Sequence, residues 1–317
     1  MNIFEVVSLT QHTDRIDSAI ETAIINALRL LSAEQDQHAA AEKHADLRND
    51  LEPLIAELEP IFHKDLKDAF QRQLNSVIKN FMKTQGKATF TGIWFKPMKE
   101  RAHADRRYVY LNEKYITNIA GKLIDYIHEL VLDNAYSDFA EAFYSQINTL
   151  SKAGSKQTAL LDQVRSIMND MSSIIVHELV HTKQHTAQLA VGKNDFEYRS
   201  YLDKYKGHLN DLNNQDADGP EFDYLYYSSP QEISAFAHTI AVNIIHKLGL
   251  NKITNVNQIE PLNGEKIVAY VNDFLNNSYK LPSKPQEYQV YKRYLKLVYV
   301  ELTNYLNHVK QKLRNHL

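Results

Sequence analysis

A chain of 317 residues with 44% hydrophobic side chains is long enough to bury one large core or two smaller ones. Its 36 basic and 39 acidic residues give a formal charge of -3, so the chain has no overall positive field that would favour nucleic acid as a partner. Cysteine is absent, which excludes disulfides and thiolate metal sites and leaves His, Asp, Glu and backbone oxygen as possible metal ligands.

Amphipathic spacing predicts long helices in the first quarter of the chain. Apolar residues recur at intervals of three and four from Ile16 to Leu31 and again from Leu66 to Phe81, which places them on one helical face. Pro53 and Pro60 are expected to break or kink the stretch between these helices, because proline lacks an amide donor and clashes with the preceding turn. Glycine and proline number only 9 and 8, which also favours a mainly helical fold.

Two short segments have the composition of β-strands. Ala88–Phe95 and Arg107–Leu111 are rich in β-branched and aromatic residues, and Pro97 ends the first of them. Two strands can form at most a small sheet or hairpin. We therefore expect a mainly α (α+β) fold, with a helical N-terminal region at residues 1–85 and a second domain at residues 86–317.

Helical spacing returns after the strands and continues through most of the second domain. A polar, tyrosine-rich stretch from Gly192 to Ser229 interrupts it, and loops of this length are usually functional or disordered. Five helices are expected in this part of the chain, at about 116–130, 139–150 and 158–189, from 230, and from 288 onward.

The longest of these helices contains two histidines and a glutamate in a metal-binding arrangement, His177-Glu178-Leu179-Val180-His181. Residues four apart lie on one helical face about one turn apart, so the two imidazoles can bind a single ion. Zinc takes nitrogen ligands at ~2.0 Å in a tetrahedral site. Glu178 is rotated about 100° from His177 in an ideal helix, so it can stand beside the metal without binding it. A carboxylate in that place can accept a proton from a water molecule whose pKa zinc lowers toward ~7.

The surroundings of the motif distinguish it from a chance match. A pattern with three fixed positions arises by chance roughly once in several thousand residues. Here Ile174-Ile175-Val176 precedes the motif, and Leu179 and Val180 separate the two histidines, so the histidines are expected to be partly buried. Buried polar groups need partners, and a shared metal ion would supply one.

A second segment repeats only the first half of the motif. His128-Glu129 stands in a similar apolar helix, but Leu132 takes the place of the second histidine. Without a second ligand at the required spacing, we interpret His128 and Glu129 as ordinary helix-surface residues.

A zinc site with two histidines needs a further protein ligand. His185 extends the histidine spacing, but two helical turns separate it from His177 by ~12 Å, which is too far for one ion. Glu232, in the first turn of the helix expected from Pro230, is the best candidate, and a fourth position would stay open for water. The alternative role for Glu232 is a capping box, with Ser229 at the N-cap and Pro230 at the first helical position.

The two segments that carry these residues resemble the zincin metallopeptidases, in particular the gluzincin branch. The resemblance covers His177–Gln184 and Pro230–Ala235, and it implies the two histidines and Glu232 as zinc ligands and Glu178 as the general base. Thermolysin-like members have an aspartate four residues after the ligand glutamate, where it braces a ligand histidine. Phe236 stands there in this chain, so other groups must hold the histidines. The His-Glu-Leu-x-His-x-x-Gln form is also similar to uncharacterised zincin-like proteins of bacteriophages.

The resemblance implies a zinc-dependent hydrolase, most simply a metallopeptidase that cleaves a peptide or protein substrate. A zincin-like domain would then occupy residues 86–317, and one edge strand, Ala88–Phe95 or Arg107–Leu111, would pair with the substrate backbone. Two alternatives stay open: a non-catalytic zincin-like structural or virion protein, and a zinc amidase that acts on cell-wall peptide. Glu178 favours catalysis, because a structural site needs no base.

Two further expectations concern the transition state and the location of the protein. A zinc peptidase needs a donor aimed at the developing oxyanion, and Tyr227 is the first candidate, with Tyr226, His208 and His238 as the others. The N-terminus lacks a basic and then apolar signal-like region, and no run of ~18 apolar residues occurs. We therefore expect a cytoplasmic or virion-associated protein that does not span a membrane.

Overall fold

The computed structural model describes residues 9–41, 47–83, 90–105, 107–132, 138–147, 156–190, 227, 230–279 and 287–315. Within these ranges the helices are α1 (Thr13–Ala41), α2 (Leu47–Lys83), α3 (Lys114–Leu132), α4 (Phe139–Ile147), α5 (Lys156–Ala190), α6 (Pro230–Lys247), α7 (Gly264–Tyr279) and α8 (Glu287–Arg314). The strands are β1 (Gly92–Lys96), β2 (Ala102–Ala104) and β3 (Tyr108–Asn112). The prediction of a mainly helical fold with a small sheet is confirmed.

The observed helices differ from the predicted ones at two places. α7 is not predicted, although its buried residues Ile267, Val271 and Leu275 are spaced four apart. A break at Pro53 and Pro60 is wrong, because α2 continues through both prolines, and a kink there stays a prediction. Beyond them α2 is fixed by an apolar face packed against α1 and α3, which consists of Phe62, Leu66, Phe70 and Leu74. No described helix combines the length and the apolarity needed to cross a bilayer.

The sheet has the strand order β1-β3-β2, with β1 parallel and β2 antiparallel to β3. Parallel pairing excludes a simple hairpin between the two predicted strands. The segment Arg107–Leu111 supplies the central strand, so the prediction that it could be an edge for substrate is wrong. β2 is not predicted from the sequence, because Ala102–Ala104 is too short to show an alternating pattern.

Asn75 of α2 covers the outer edge of β1. Its side-chain oxygen accepts a hydrogen bond from the Ile93 amide at 2.6 Å, and its amide donates to the Ile93 carbonyl at 3.3 Å. Gly92 permits this approach, since a Cβ there would lie 2.7 Å from Asn75 Oδ1. β1 is therefore already paired on its outer side, whereas β2 forms the other edge of the sheet and contacts α5.

The buried apolar side chains form two clusters that meet along α5 and α6. The first cluster joins α1 to α5 with the sheet, and the second joins α6, α7 and α8. α6 contributes to both, with Ala235 and Val242 in the first and Phe236 and Ile240 in the second. The first cluster takes residues from both sides of position 85, and a domain boundary there remains a prediction.

The first and last described parts of the chain are in contact. The Thr10 hydroxyl donates to Glu301 Oε2 at 2.8 Å, and the Tyr305 hydroxyl donates to Asp14 Oδ1 at 2.6 Å; each pair is 291 residues apart in sequence. Glu301 Oε2 also lies 3.3 Å from His238 Nε2 of α6. α8 thus fixes α6 on one side and the start of the chain on the other.

Candidate metal centre

α5 carries the histidine motif into the protein interior. The apolar neighbours of the motif are almost fully buried, and they are Ile175, Val176, Leu179 and Val180. His177 and Glu178 are buried with them, at 5% and 8% exposure. Burial of polar side chains is costly unless each has a partner, so the contacts of these two residues indicate what the site can bind.

His177, His181 and Glu232 converge where α5 and α6 pack together. The Nε2 atoms of the two histidines are 3.2 Å apart. Glu232 Oε2 lies 3.7 Å from Nε2 of His177 and 3.4 Å from Nε2 of His181. Ligands bound at ~2.0–2.1 Å to a tetrahedral zinc ion are separated by ~3.3 Å, close to all three distances. Among the described residues, these three form the only group of His, Asp and Glu side chains that could hold a metal.

Thr239 fixes the orientation of the first histidine. His177 Nδ1 lies 3.2 Å from Thr239 Oγ1, and the Thr239 hydroxyl donates to the Ala235 carbonyl at 3.3 Å. Because the hydroxyl hydrogen is used there, Thr239 accepts from the Nδ1–H of His177, and Nε2 keeps its lone pair for a ligand. Thr239 follows Glu232 by seven residues, or about two turns, so both lie on the same face of α6.

Gln184 does the same for the second histidine. His181 Nδ1 lies 3.1 Å from Gln184 Oε1, and Gln184 Nε2 donates to the Gln231 carbonyl at 3.3 Å. This amide orientation leaves the oxygen to accept the Nδ1–H of His181, so Nε2 again faces Glu232. The Nδ1 atoms of the two histidines are therefore contacted by two uncharged side chains, Thr239 and Gln184. Neither role is predicted from the sequence, since both depend on the packing of α5 against α6.

An aromatic pair, Phe236 and Tyr227, packs on one side of His177. The Phe236 ring centroid lies 4.4 Å from that of His177 and 5.0 Å from that of Tyr227. The Tyr227 carbonyl accepts a hydrogen bond from the Tyr294 hydroxyl at 2.7 Å. Tyr227 is thus one ring removed from His177, and its role as an oxyanion donor stays a prediction.

The ring nitrogens of His238 are turned away from His177, His181 and Glu232. Its Nδ1 lies 2.8 Å from the Ser234 carbonyl and its Nε2 lies 3.3 Å from Glu301 Oε2. With both ring nitrogens engaged, His238 has no donor left for a substrate oxyanion. The remaining sequence candidates lie outside the described residues, and they are His208, Tyr226, the cap residue Ser229 and the side chain of His185.

Burial and the charges of neighbouring side chains set the protonation states of His177, Glu178 and His181. Burial raises the pKa of Glu178 to about 7, against the opposing effect of His181 and with the support of Glu232. Burial lowers the pKa of His177 well below its ordinary value, and neighbouring His181 adds to the effect. Burial also acts to lower the pKa of His181, but the adjacent Glu232 outweighs it, so the net shift is upward. His177 is therefore neutral, as a ligand must be, and Glu178 can gain or release a proton near neutral pH.

The half motif in α3 shows the same residue types without a second histidine. Glu129 is paired with the exposed Lys156, and its Oε1 lies 3.9 Å from His128 Nδ1. The His128 side chain is 36% exposed, and that of Glu129 is 16% exposed. The two residues thus form a local ion-pair cluster near the surface, and Glu129 is more buried than predicted.

Comparison with known proteins adds no family assignment. No protein-family model, curated protein or solved structure matches the chain. The resemblance to zincins is therefore carried by the residue spacing in α5 and by Glu232, and the function has to follow from the chemistry of these residues.

Proposed function

We propose that the chain is a zinc-dependent metallopeptidase in which His177, His181 and Glu232 bind zinc and Glu178 is the general base. The observation that supports this most directly is the convergence of three ligand atoms within 4.8 Å of one another, next to a buried carboxylate whose pKa is raised to about 7. A structural zinc site usually has four protein ligands and needs no base, whereas catalytic sites keep three protein ligands and an open position.

The chain supplies the protein groups that such a reaction needs. When bound, zinc would polarise the substrate carbonyl and make water acidic enough to attack at neutral pH. Glu178 would accept the proton of the attacking water and deliver it to the leaving amine, a task suited to a carboxylate with a pKa near 7. Among the described residues no group hydrogen-bonds to the Glu178 carboxylate, which supports this role. β2 offers a sheet edge beside α5 to which an extended peptide can add.

Removal and return of the metal tests the proposal. The purified protein is expected to contain about one zinc ion per chain and to cleave members of a mixed peptide library. Chelation should stop cleavage, and one equivalent of zinc should restore it. Elemental analysis measures the zinc content, and mass spectrometry of the products measures the cleavage. A protein that takes up no zinc at neutral pH contradicts the proposal, and cleavage of cell-wall peptides alone favours the amidase.

Glu232→Gln distinguishes a metal ligand from a helix cap. Loss of a group that only braces a ligand weakens metal binding by about 10–100-fold, so loss of a ligand should weaken zinc binding at least about tenfold. The stability of the metal-free protein should hardly change. If Glu232 were instead a cap, the variant would lose roughly 0.5–2 kcal/mol of unfolding free energy and keep its zinc affinity. Ser229→Ala is the matched control, because it removes the proposed cap and leaves the carboxylate. Chelator competition and chemical denaturation measure the two quantities.

A further inference from the structure

The sheet has one buried face and one exposed face. Side chains alternate between the two faces of a strand. The inward side chains join the first apolar cluster, and the larger of them are Ile93, Phe95, Val109 and Leu111. The outward side chains, which we call the aromatic face, are Trp94 and Lys96 of β1, His103 of β2, and Tyr108 and Tyr110 of β3. Trp94 is 48% exposed, so this face is open to a partner.

Strand pairing places three of the rings in one row across the sheet. Trp94 of β1 and His103 of β2 are both in register with Tyr110 of the central strand. Neighbouring strands are ~4.8 Å apart, so the row is ~10 Å long. The His103 and Tyr110 rings are 6.4 Å apart and within 14° of parallel, and Tyr108 lies 6.0 Å from Tyr110 and 6.5 Å from Trp94. The four rings thus form a continuous aromatic surface.

The positive charge around the aromatic face is not neutralised. Residues 96–107 hold five basic and two acidic side chains, although the whole chain has a charge of -3. Lys96 Nζ lies 3.7 Å from the centre of the Tyr110 ring. Lys96, Lys99 and Arg107 are exposed and form no ion pair with any residue that the structure describes. Of the two acids, Asp105 accepts hydrogen bonds from the Tyr110 hydroxyl and two backbone amides. The face therefore favours an anionic partner.

A partner must use both the rings and the cations. An acidic peptide would leave the rings uncovered, and a neutral glycan or apolar peptide would leave the cations without a counter-charge. A single strand of nucleic acid carries planar bases and phosphates in alternation, and it binds proteins by stacking on aromatic side chains within a positively charged surface. A duplex is a poorer fit, because its bases are stacked on one another and cannot lie on the rings.

We propose that the aromatic face binds single-stranded RNA, with two or three bases stacked on the row of Trp94, Tyr110 and His103. Two or three bases is the number that aromatic side chains of an RNA-binding sheet accommodate. Lys96 would contact the phosphates. The Tyr108 hydroxyl and the His103 ring make no hydrogen bond within the described part of the chain, so they can bond to the 2′-hydroxyl that DNA lacks. None of the proposed zinc ligands takes part.

The fluorescence of Trp94 tests the stacking directly, because the chain has no other tryptophan. Titration of the full chain with octauridylate should quench this fluorescence to saturation. Trp94→Ala should weaken binding of the labelled octamer, measured by anisotropy, about 5- to 150-fold. Lys96→Gln should lower the slope of log affinity against log salt concentration by about 0.7, the value for one phosphate of a single strand. Both side chains are exposed, so the fold should tolerate both changes.

Matched ligands and variants separate this interface from other occupants. Tyr144→Ala, at an aromatic residue of α4 that is 58% exposed, should leave RNA affinity unchanged. Octadeoxyuridylate should bind about two- to tenfold more weakly than the RNA. Glu178→Gln and removal of zinc should not alter RNA binding, so the result is independent of the peptidase. The inference is overturned by absent quenching, by unchanged affinity in Trp94→Ala, or by tighter binding of the DNA strand, an RNA duplex, a proline-rich peptide or a chitin oligosaccharide.

Discussion

Glu178→Gln is expected to lower the rate of peptide hydrolysis by about 10²–10⁴ and to leave zinc bound. The amide has nearly the same shape as the carboxylate but cannot accept the proton of an attacking water. Since Glu178 is next to the proposed ligands and is not one of them, the zinc content and the unfolding transition should change little. The measurements are kcat and kcat/KM on one cleaved peptide, with zinc content determined on the same sample.

Glu129→Gln is the control that the chain itself provides. It makes the same chemical change in the half motif of α3, where Glu129 is paired with Lys156 and has no metal-binding group around it in the described structure. Its hydrolysis rate should equal that of the unaltered protein. If Glu178→Gln retained full activity with zinc bound, another group would have to be the base.

His177→Ala and His181→Ala are each expected to abolish stoichiometric zinc binding at micromolar protein. Removing one imidazole leaves two protein ligands, fewer than the three that catalytic zinc sites use. Hydrolysis should disappear with the metal. His128→Ala, in the half motif, should keep one zinc per chain. Retention of tightly bound zinc by either of the first two variants would assign the metal to a different set of ligands.

Thr239→Val should give a zinc affinity between that of the unaltered protein and that of His177→Ala. It removes the hydroxyl that accepts from His177 Nδ1 and keeps the imidazole in place. Loss of such a partner typically weakens metal binding by about 10–100-fold. Zinc affinity should therefore decrease in the order unaltered protein, Thr239→Val, His177→Ala, and a Thr239→Val protein with unchanged affinity would refute the proposed bracing role.

The convergence of the two histidines could be predicted from the sequence because their geometry is local. Residues four apart on a helix lie together whatever the rest of the fold does, so His177 and His181 required only that α5 be helical. The start of α6 could also be predicted, because proline is common at the first position of a helix and Pro230 occupies it. Glu232 followed from that start, and its Oε2 lies 3.4 Å from Nε2 of His181, while its role as a ligand stays a prediction.

The parts that could not be predicted depend on contacts between distant segments. The braces Thr239 and Gln184 become visible only when α5 and α6 are packed together. The order of the sheet depends on the three residues of β2, and Asn75, which covers β1, lies in a different helix. α2 continues through Pro53 and Pro60 because packing farther along the helix outweighs the local signal.

The contact between the two ends of the described chain affects the order in which the site can form during synthesis. All three proposed ligands have been translated once the ribosome passes Glu232. At that stage α6 lacks α8, whose residues Tyr294, Val298 and Leu302 bury its other side. About 80 further residues complete α8, which takes roughly 4–16 s at ribosomal speeds of ~5–20 residues per second. A nascent chain in that interval carries all three proposed ligands while one side of α6 is still uncovered, so the packing that holds Glu232 against α5 would be complete only after α8 has been made.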